Sequence, residues 1–219
     1  MAKIGVFDSG IGGLSVAKAI EKAMPETEVV FRHDSADHFP YATKSPDTIY
    51  GFVVPILDEL VQAGCSVIVI ACNTVSTTLI GRLREHFSVP LVALEPMIKP
   101  AGKMTESGVI AVCATPTTLA SHRYAWLKQQ YAPGMTVIEP DCSDWSYLIE
   151  HNAMNDEKIK NDIMPAIEAG ADVIVLGCTH YHWIEERVSA IAAGKAVVIQ
   201  PETAVVAQLE RVLQTLVVR

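Results

Sequence analysis

Short apolar runs alternate with longer amphipathic stretches along the whole chain. Residues 3–7 form a run rich in β-formers that ends in a glycine-rich turn, and residues 14–24 follow with helical spacing up to Pro25. Residues 28–31 read as a second strand. Residues 47–63 read as a helix, with Asp47 placed to cap it after Pro46. The unbroken apolar run 67–71 has the pattern of a strand buried on both faces. A helix over 75–87 and a strand over 91–93 complete the first half. The plan then repeats, with strands predicted at 109–113, 135–138, 173–176 and 197–199 and helices at 119–131, 156–169, 183–193 and 203–217. Such alternation predicts an α/β fold on mainly parallel sheets.

The repeat has a register. Cys178 lies 106 positions after Cys72, and the same shift carries residues 4–7 onto 110–113 and Gly64 onto Gly170. It also carries Ser15 onto Ser121, Phe39 onto Trp145 and Tyr41 onto Tyr147. The expectation is two similar three-layer α/β domains, related by a pseudo-twofold axis, with the active site in the cleft between them. Two prolines and a glycine place the boundary within 96–103. With the last helix crossing back, residues 1–97 plus 200–219 form the first domain and 98–199 the second.

Composition narrows the function. The chain has 219 residues, half of them apolar and 19% charged, which excludes a disordered polypeptide. A formal net charge of −8 without a basic block argues against nucleic-acid binding. No apolar stretch is long enough for a bilayer span, and the first ten residues lack a basic-then-apolar leader, so a cytoplasmic location is expected. Five cysteines, an odd number with no Cys-x-x-Cys pair, fit free thiols in a reducing compartment. Cys65 and Cys113 fall in core positions; Cys142 falls in a loop and stays open.

Four polar turns follow predicted strands, at Asp8-Ser9-Gly10, Cys72-Asn73-Thr74, Thr115-Pro116-Thr117-Thr118 and Cys178-Thr179-His180. Ligands of α/β sheets bind at such strand ends, and the following helix N-termini favour anions. None of the turns contains Lys or Arg, so a carboxylate there would be held by N–H groups, hydroxyls and the Asn73 amide. Cys72 and Cys178 hold equivalent places in the two halves, and a helix N-terminus is expected to lower a thiol's pKa. Two thiols on opposite sides of one cleft suit stereoinversion at a carbon bearing an acidic proton: one removes it, the other returns a proton to the opposite face. No metal and no cofactor is expected. Two other readings stand beside this one. Gly10-Ile11-Gly12-Gly13, with Asp34 as a ribose acid, partly matches a dinucleotide fingerprint, but Ser15 replaces the last glycine. Cys178-x-His180-x-His182 lacks the partner pairs of a zinc site.

Asp8-Ser9-Gly10 with Gly12-Gly13-Leu14-Ser15, Pro40-Tyr41, Ala71-Cys72-Asn73-Thr74 and Gly177-Cys178-Thr179-His180-Tyr181 occur in this order along nearly the whole chain. In this combination the chain resembles the glutamate racemases of the cofactor-independent aspartate/glutamate racemase superfamily. The resemblance implies that Cys72 acts on the D-enantiomer and Cys178 on the L-enantiomer. It implies that Asp8 and His180 assist the neighbouring thiols and that Glu150 supports His180. Substrate contacts are implied for Ser9, Tyr41, Ala42, Asn73, Thr74, Thr115, Thr118 and Thr179. A homodimer making D-glutamate for the bacterial cell wall follows from the same resemblance. Rivals are a relative acting on aspartate or another small acid, a dinucleotide-dependent oxidoreductase and a non-catalytic binding protein.

The sequence departs from the family pattern at four places. Ala42 stands where glycine is usual after Tyr41, and Thr117 also replaces a glycine. His182-Trp183 replace Pro-Leu, which is expected to put a bulky aromatic near the site entrance. Gln200-Pro201 replace an acidic-serine pair.

Overall fold

The computed structural model describes residues 2–217. The first half runs β1 (Lys3–Asp8), α1 (Leu14–Ala23), β2 (Glu28–His33), α2 (Pro46–Gln62), β3 (Val67–Ile70), α3 (Asn73–His86) and β4 (Leu91–Ala93). The second continues with α4 (Ile98–Met104), β5 (Val109–Ala114), α5 (Pro116–Leu119), α6 (His122–Tyr131), β6 (Thr136–Ile138), α7 (Trp145–Glu150) and α8 (Asp156–Glu168). It ends with β7 (Val173–Gly177), α9 (Thr179–His182), α10 (Glu185–Ala192), β8 (Val197–Ile199) and α11 (Glu202–Val217).

Among the described residues these strands form two all-parallel sheets, β2-β1-β3-β4 and β6-β5-β7-β8. The strand order is the same in both, and β1 corresponds to β5 as the offset of 106 requires. Alternate residues of the central strands feed opposite faces. Ile4, Val6, Val67 and Val69 join Val16 and Ile20 of α1 in one cluster, while Phe7, Ile68 and Ile70 join Val53 and Leu57 of α2 in another. The second sheet is covered likewise, by α4 and α6 on one face and by α8 and α10 on the other. Each half is therefore helix–sheet–helix.

Several elements differ from expectation for local reasons. Ser45, not Asp47, caps α2: its hydroxyl accepts the Thr48 N–H, and Pro46 takes the first helical position. The helix expected over 119–131 starts at His122, because Ser121 caps it and Thr115 caps the single turn of α5 before it. The presumed linker contains α4. Its Gly102 lies against α6, where an added Cβ would sit 2.3 Å from the Tyr131 carbonyl oxygen, so the glycine serves close packing. Tyr147, the offset partner of buried Tyr41, is half exposed.

The last helix returns to the first sheet. Val205 and Leu209 of α11 are buried with Ile4, Val6 and Val16. Leu209→Ala leaves a cavity in that cluster and is expected to lower unfolding free energy by about 2–5 kcal/mol in urea titration. A loss below about 0.5 kcal/mol, the usual range for surface positions, contradicts this docking.

Candidate active site

The carboxyl ends of the four central strands meet between the sheets. Thr179, after β7, donates through Oγ1 to Asp8 Oδ2 at 3.1 Å at the end of β1. Thr74, after β3, lies 3.0 Å from Thr115 after β5, hydroxyl to hydroxyl. A shift of 106 carries Asp8 and Thr179 onto Ala114 and Asn73, each one position before the second pair, so the two contacts join equivalent strand ends through different residues. Between them is a narrow cleft with a cavity volume of about 20 Å³, room for little more than one water. It is lined by Ser9, Tyr41, Cys72, Asn73, Thr74, Thr115, Cys178, Thr179 and His180, and also by Phe39, Pro40 and Ser146.

Cys72 and Cys178 are the N-cap residues of α3 and α9, both in extended backbone and neither using its side chain as a cap. Their sulfurs are thus free to face the cleft. Cys72 Sγ lies 3.5 Å from the Ser9 hydroxyl. The helix N-terminus does not decide its acidity. Burial, and after it the charge of Asp8, push the Cys72 thiol well above its ordinary range. Cys178 Sγ is 3.9 Å from His180 Nδ1, a loose contact, while His180 Nε2 donates to Glu150 Oε2 at 2.5 Å. Nε2 therefore carries a proton, which leaves Nδ1 as the nitrogen that faces the Cys178 sulfur. Burial alone would depress the His180 imidazole. Its hydrogen bonds with Cys178 and Glu150 and the charge of Asp8 outweigh that and push it up to about 10. Glu150, where burial is overcome by the bond from His180, sits below the usual carboxylate range.

Asp8 is fully buried, and burial raises its carboxyl against the charge of His180 and the N–H groups of Ser9 and Gly13. The Gly13 N–H donates to Oδ2 at 2.7 Å, so this side chain fills the turn where a pyrophosphate would bind. The glycines have another use. An added Cβ at Gly12 would lie 2.7 Å from the His180 backbone nitrogen, and one at Gly13 would lie 2.6 Å from Asp8 Cβ. Asp34 is likewise occupied, accepting from Tyr41 Oη at 2.5 Å and the Ser35 N–H at 2.7 Å. The dinucleotide reading thus loses both its turn and its acid.

Other expected residues take different places. Thr118 stands behind the lining, its Oγ1 3.0 Å from that of Thr115. Tyr41 lines the cleft while its hydroxyl is bound to Asp34. The side chain of Ala42 lies outside the described residues. Asn73 is buried, and its amide oxygen and nitrogen, like Asp8 Oδ1, have no hydrogen-bond partner within the described protein. Of these only Asn73 lines the cleft, and an unpaired buried amide there points to a ligand that satisfies it. Cys65, Cys113 and Cys142 are buried in apolar clusters, which settles Cys142 as core. His182 Nδ1 turns to Glu202 and Ser15, away from Cys178, so the Cys-x-His-x-His spacing does not converge on one point. Trp183 is absent from the lining; it packs over α1 with Lys18 Nζ 5.6 Å from its ring centre, which corrects the expected entrance position. Phe39, the offset partner of Trp145, lines the cleft with its ring centroid 5.2 Å from that of His180. Ser146 was missed, although the offset of 106 places it opposite Pro40 of the Pro40-Tyr41 motif.

The family profile for Asp/Glu/hydantoin racemases matches residues 4–209. The glutamate racemase of Pseudomonas paraeruginosa (strain DSM 24068 / PA7) is 38% identical over 219 residues, covering 98% of this chain and 82% of its own. The glutamate racemase of Herpetosiphon aurantiacus is 35% identical over 214 residues, covering 96% and 84%. The crystal structure of Escherichia coli glutamate racemase with L-glutamate and the activator UDP-MurNAc-Ala superposes with a TM-score of 0.90 at 28% identity, covering 97% of this chain and 82% of that one. The Francisella tularensis enzyme in complex with D-glutamate gives 0.82 at 28%, covering 98% and 81%.

A pH dependence follows from the His180 pair. Its value in the fold lies above the ordinary 6.5, so its stabilising contribution is complete below about pH 6.5 and fades as pH rises toward 10. Glu150→Gln removes one cause of the rise. The expected result is a smaller alkaline decline of the urea midpoint between about pH 6.5 and 10 than in the parent. Parallel curves for the two proteins would place the decline elsewhere.

Proposed function

Because this chain belongs to the Asp/Glu/hydantoin racemase family, we propose that it interconverts L- and D-glutamate by a two-thiol mechanism that requires no cofactor. The observation carrying this reading is that Cys72 and Cys178, at equivalent strand ends of two like halves, line one cleft. Inversion at Cα requires a base on one face and an acid on the other. With L-glutamate, the Cys178 sulfur takes the Cα proton, breaking C–H and forming S–H, while His180 at that sulfur supports the exchange. The Cys72 thiol, held protonated by burial and by Asp8, gives its proton to the opposite face. The D-enantiomer runs the same steps in reverse.

The Cα proton of an amino acid is a weak acid, so charge must be stabilised as it develops. Neutral donors fixed in a closed site do this without reorganising. Among the described residues the lining has no Lys or Arg. Asn73 and the hydroxyls of Ser9, Thr74, Thr115 and Thr179 therefore hold the ammonium and carboxylates, with Thr118 steadying Thr115. The reading also treats 1–97 with 200–219 as one domain and 98–199 as the other, supported by the burial of α11 against the first sheet. The same reading makes it a cytoplasmic homodimer that supplies D-glutamate for peptidoglycan; light scattering is expected to give twice the chain mass.

The direct test follows the Cα proton by NMR in D2O, with L- and D-glutamate and L- and D-aspartate in separate samples. Exchange and interconversion of both glutamate enantiomers is expected. Response to aspartate alone keeps the chemistry and replaces the substrate; no exchange with any of them overturns the reading. Cys72→Ser and Cys178→Ser should each lower turnover by about a thousandfold, within the range of acid–base groups, with unchanged circular dichroism. A near-parental rate in either variant removes that thiol from the mechanism.

A further inference from the structure

His182 and Trp183 follow the turn of Cys178 and His180 directly, and the mechanism above makes no use of them. Neither lines the cleft. Both reach across to the other half. The Trp183 indole Nε1–H donates to the Gly12 carbonyl at 3.1 Å. His182 is buried, with Nδ1 3.1 Å from Glu202 Oε1 and 3.3 Å from Ser15 Oγ. Because Nδ1 faces a carboxylate, it carries the proton and donates to Glu202. Gly12 is also where the His180 backbone comes so close that only glycine fits. The peptide held by Trp183 is thus the one on which His180 rests. With the Thr179 bond to Asp8, residues 178–183 are fastened to residues 8–15 along most of their length.

We propose that His182 and Trp183 are positioning residues, which hold the turn of Cys178 and His180 against the turn of Asp8 and so set the span between the two thiols. The inference rests on the two-thiol reading. Across the cleft, the halves meet through threonine hydroxyls, Thr74 with Thr115 and Thr118. Releasing the His182–Trp183 edge lets the sheets swing about those hydroxyls. The thiol span then widens without any group that touches substrate being removed. Both sulfurs must address the same carbon from opposite sides, and a misplacement near 1 Å costs up to about a hundredfold. A widened span also delays capture on the far face, so that the Cys178 S–H exchanges with solvent and, in D2O, returns a deuteron to the face the proton left.

The test compares Trp183→Phe, which keeps a ring and loses the N–H, with Trp183→Leu, and His182→Ala with His182→Asn, which keeps a donor near Nδ1. Each is assayed with L-glutamate in D2O for kcat, KM and deuterium in substrate recovered without inversion. Trp183→Phe and His182→Ala are expected to lower kcat about three- to tenfold, the equivalent of one neutral hydrogen bond, with KM changed less than kcat. Deuterium should appear in uninverted L-glutamate, and His182→Asn should restore most of the loss. Parental kcat with no such deuterium overturns the proposal. So does a fall in kcat that only tracks the fraction of folded protein. A second measurement separates this from the functional reading. If the parent does not turn over glutamate, that reading fails, and amide hydrogen exchange of residues 8–15 decides the clasp. Faster exchange in Trp183→Phe than in the parent supports it, and equal exchange overturns it.

Discussion

Asp8 sits at the end of β1 without solvent contact, and one of its oxygens takes donors from both halves of the molecule, the Gly13 N–H and the Thr179 hydroxyl. A carboxylate taken out of water costs several kcal/mol unless donors surround it. Much of the local sequence meets that cost. Gly12 leaves no side chain between the turn and the opposite half, so Thr179 and His180 can come close, and Gly13 leaves room for the Asp8 side chain itself. The joint between the sheets and the electrostatics of the cleft therefore have one origin. A change at Asp8 alters the fit of the halves and the proton affinity of Cys72 together.

The scaffold is doubled but its chemistry is not. The offset that maps the thiols onto each other maps Asp8 onto Ala114 and His180 onto Thr74. One thiol thus has a carboxylate as its charged neighbour, and the other has an imidazole backed by Glu150. Two like thiols in like turns would compete for the same protonation state. Unlike neighbours separate them: burial and Asp8 favour the protonated Cys72 thiol, while Cys178 has an imidazole beside it.

The strands were legible because a strand buried on both faces is an uninterrupted apolar run, and those of the central strands are unmistakable. The cleft residues were legible because strand ends in parallel sheets are where polar turns face ligands. Short elements were harder. α4 holds proline and glycine, the composition of a linker, and is a helix because α6 offers it a flat landing at Gly102. The bond between Glu150 and His180 joins residues thirty positions apart, beyond any local pattern. The Cys72 thiol shows the same limit. Helix position is written in the sequence, whereas burial and the approach of Asp8 arise only from the assembled sheets.

The cleft is lined by hydroxyls and an amide, and among the described residues its lining holds no guanidinium or ammonium. A guanidinium fork fixes a carboxylate in one plane. A hydroxyl rotates and serves as donor or acceptor. Mirror-image substrates exchange the directions of two groups on the same carbon, and an enzyme working both ways must hold either hand about equally well. Soft, rotatable anchors make such ambidexterity cheap, because reorienting an O–H is all that a reversal of hand demands of the wall.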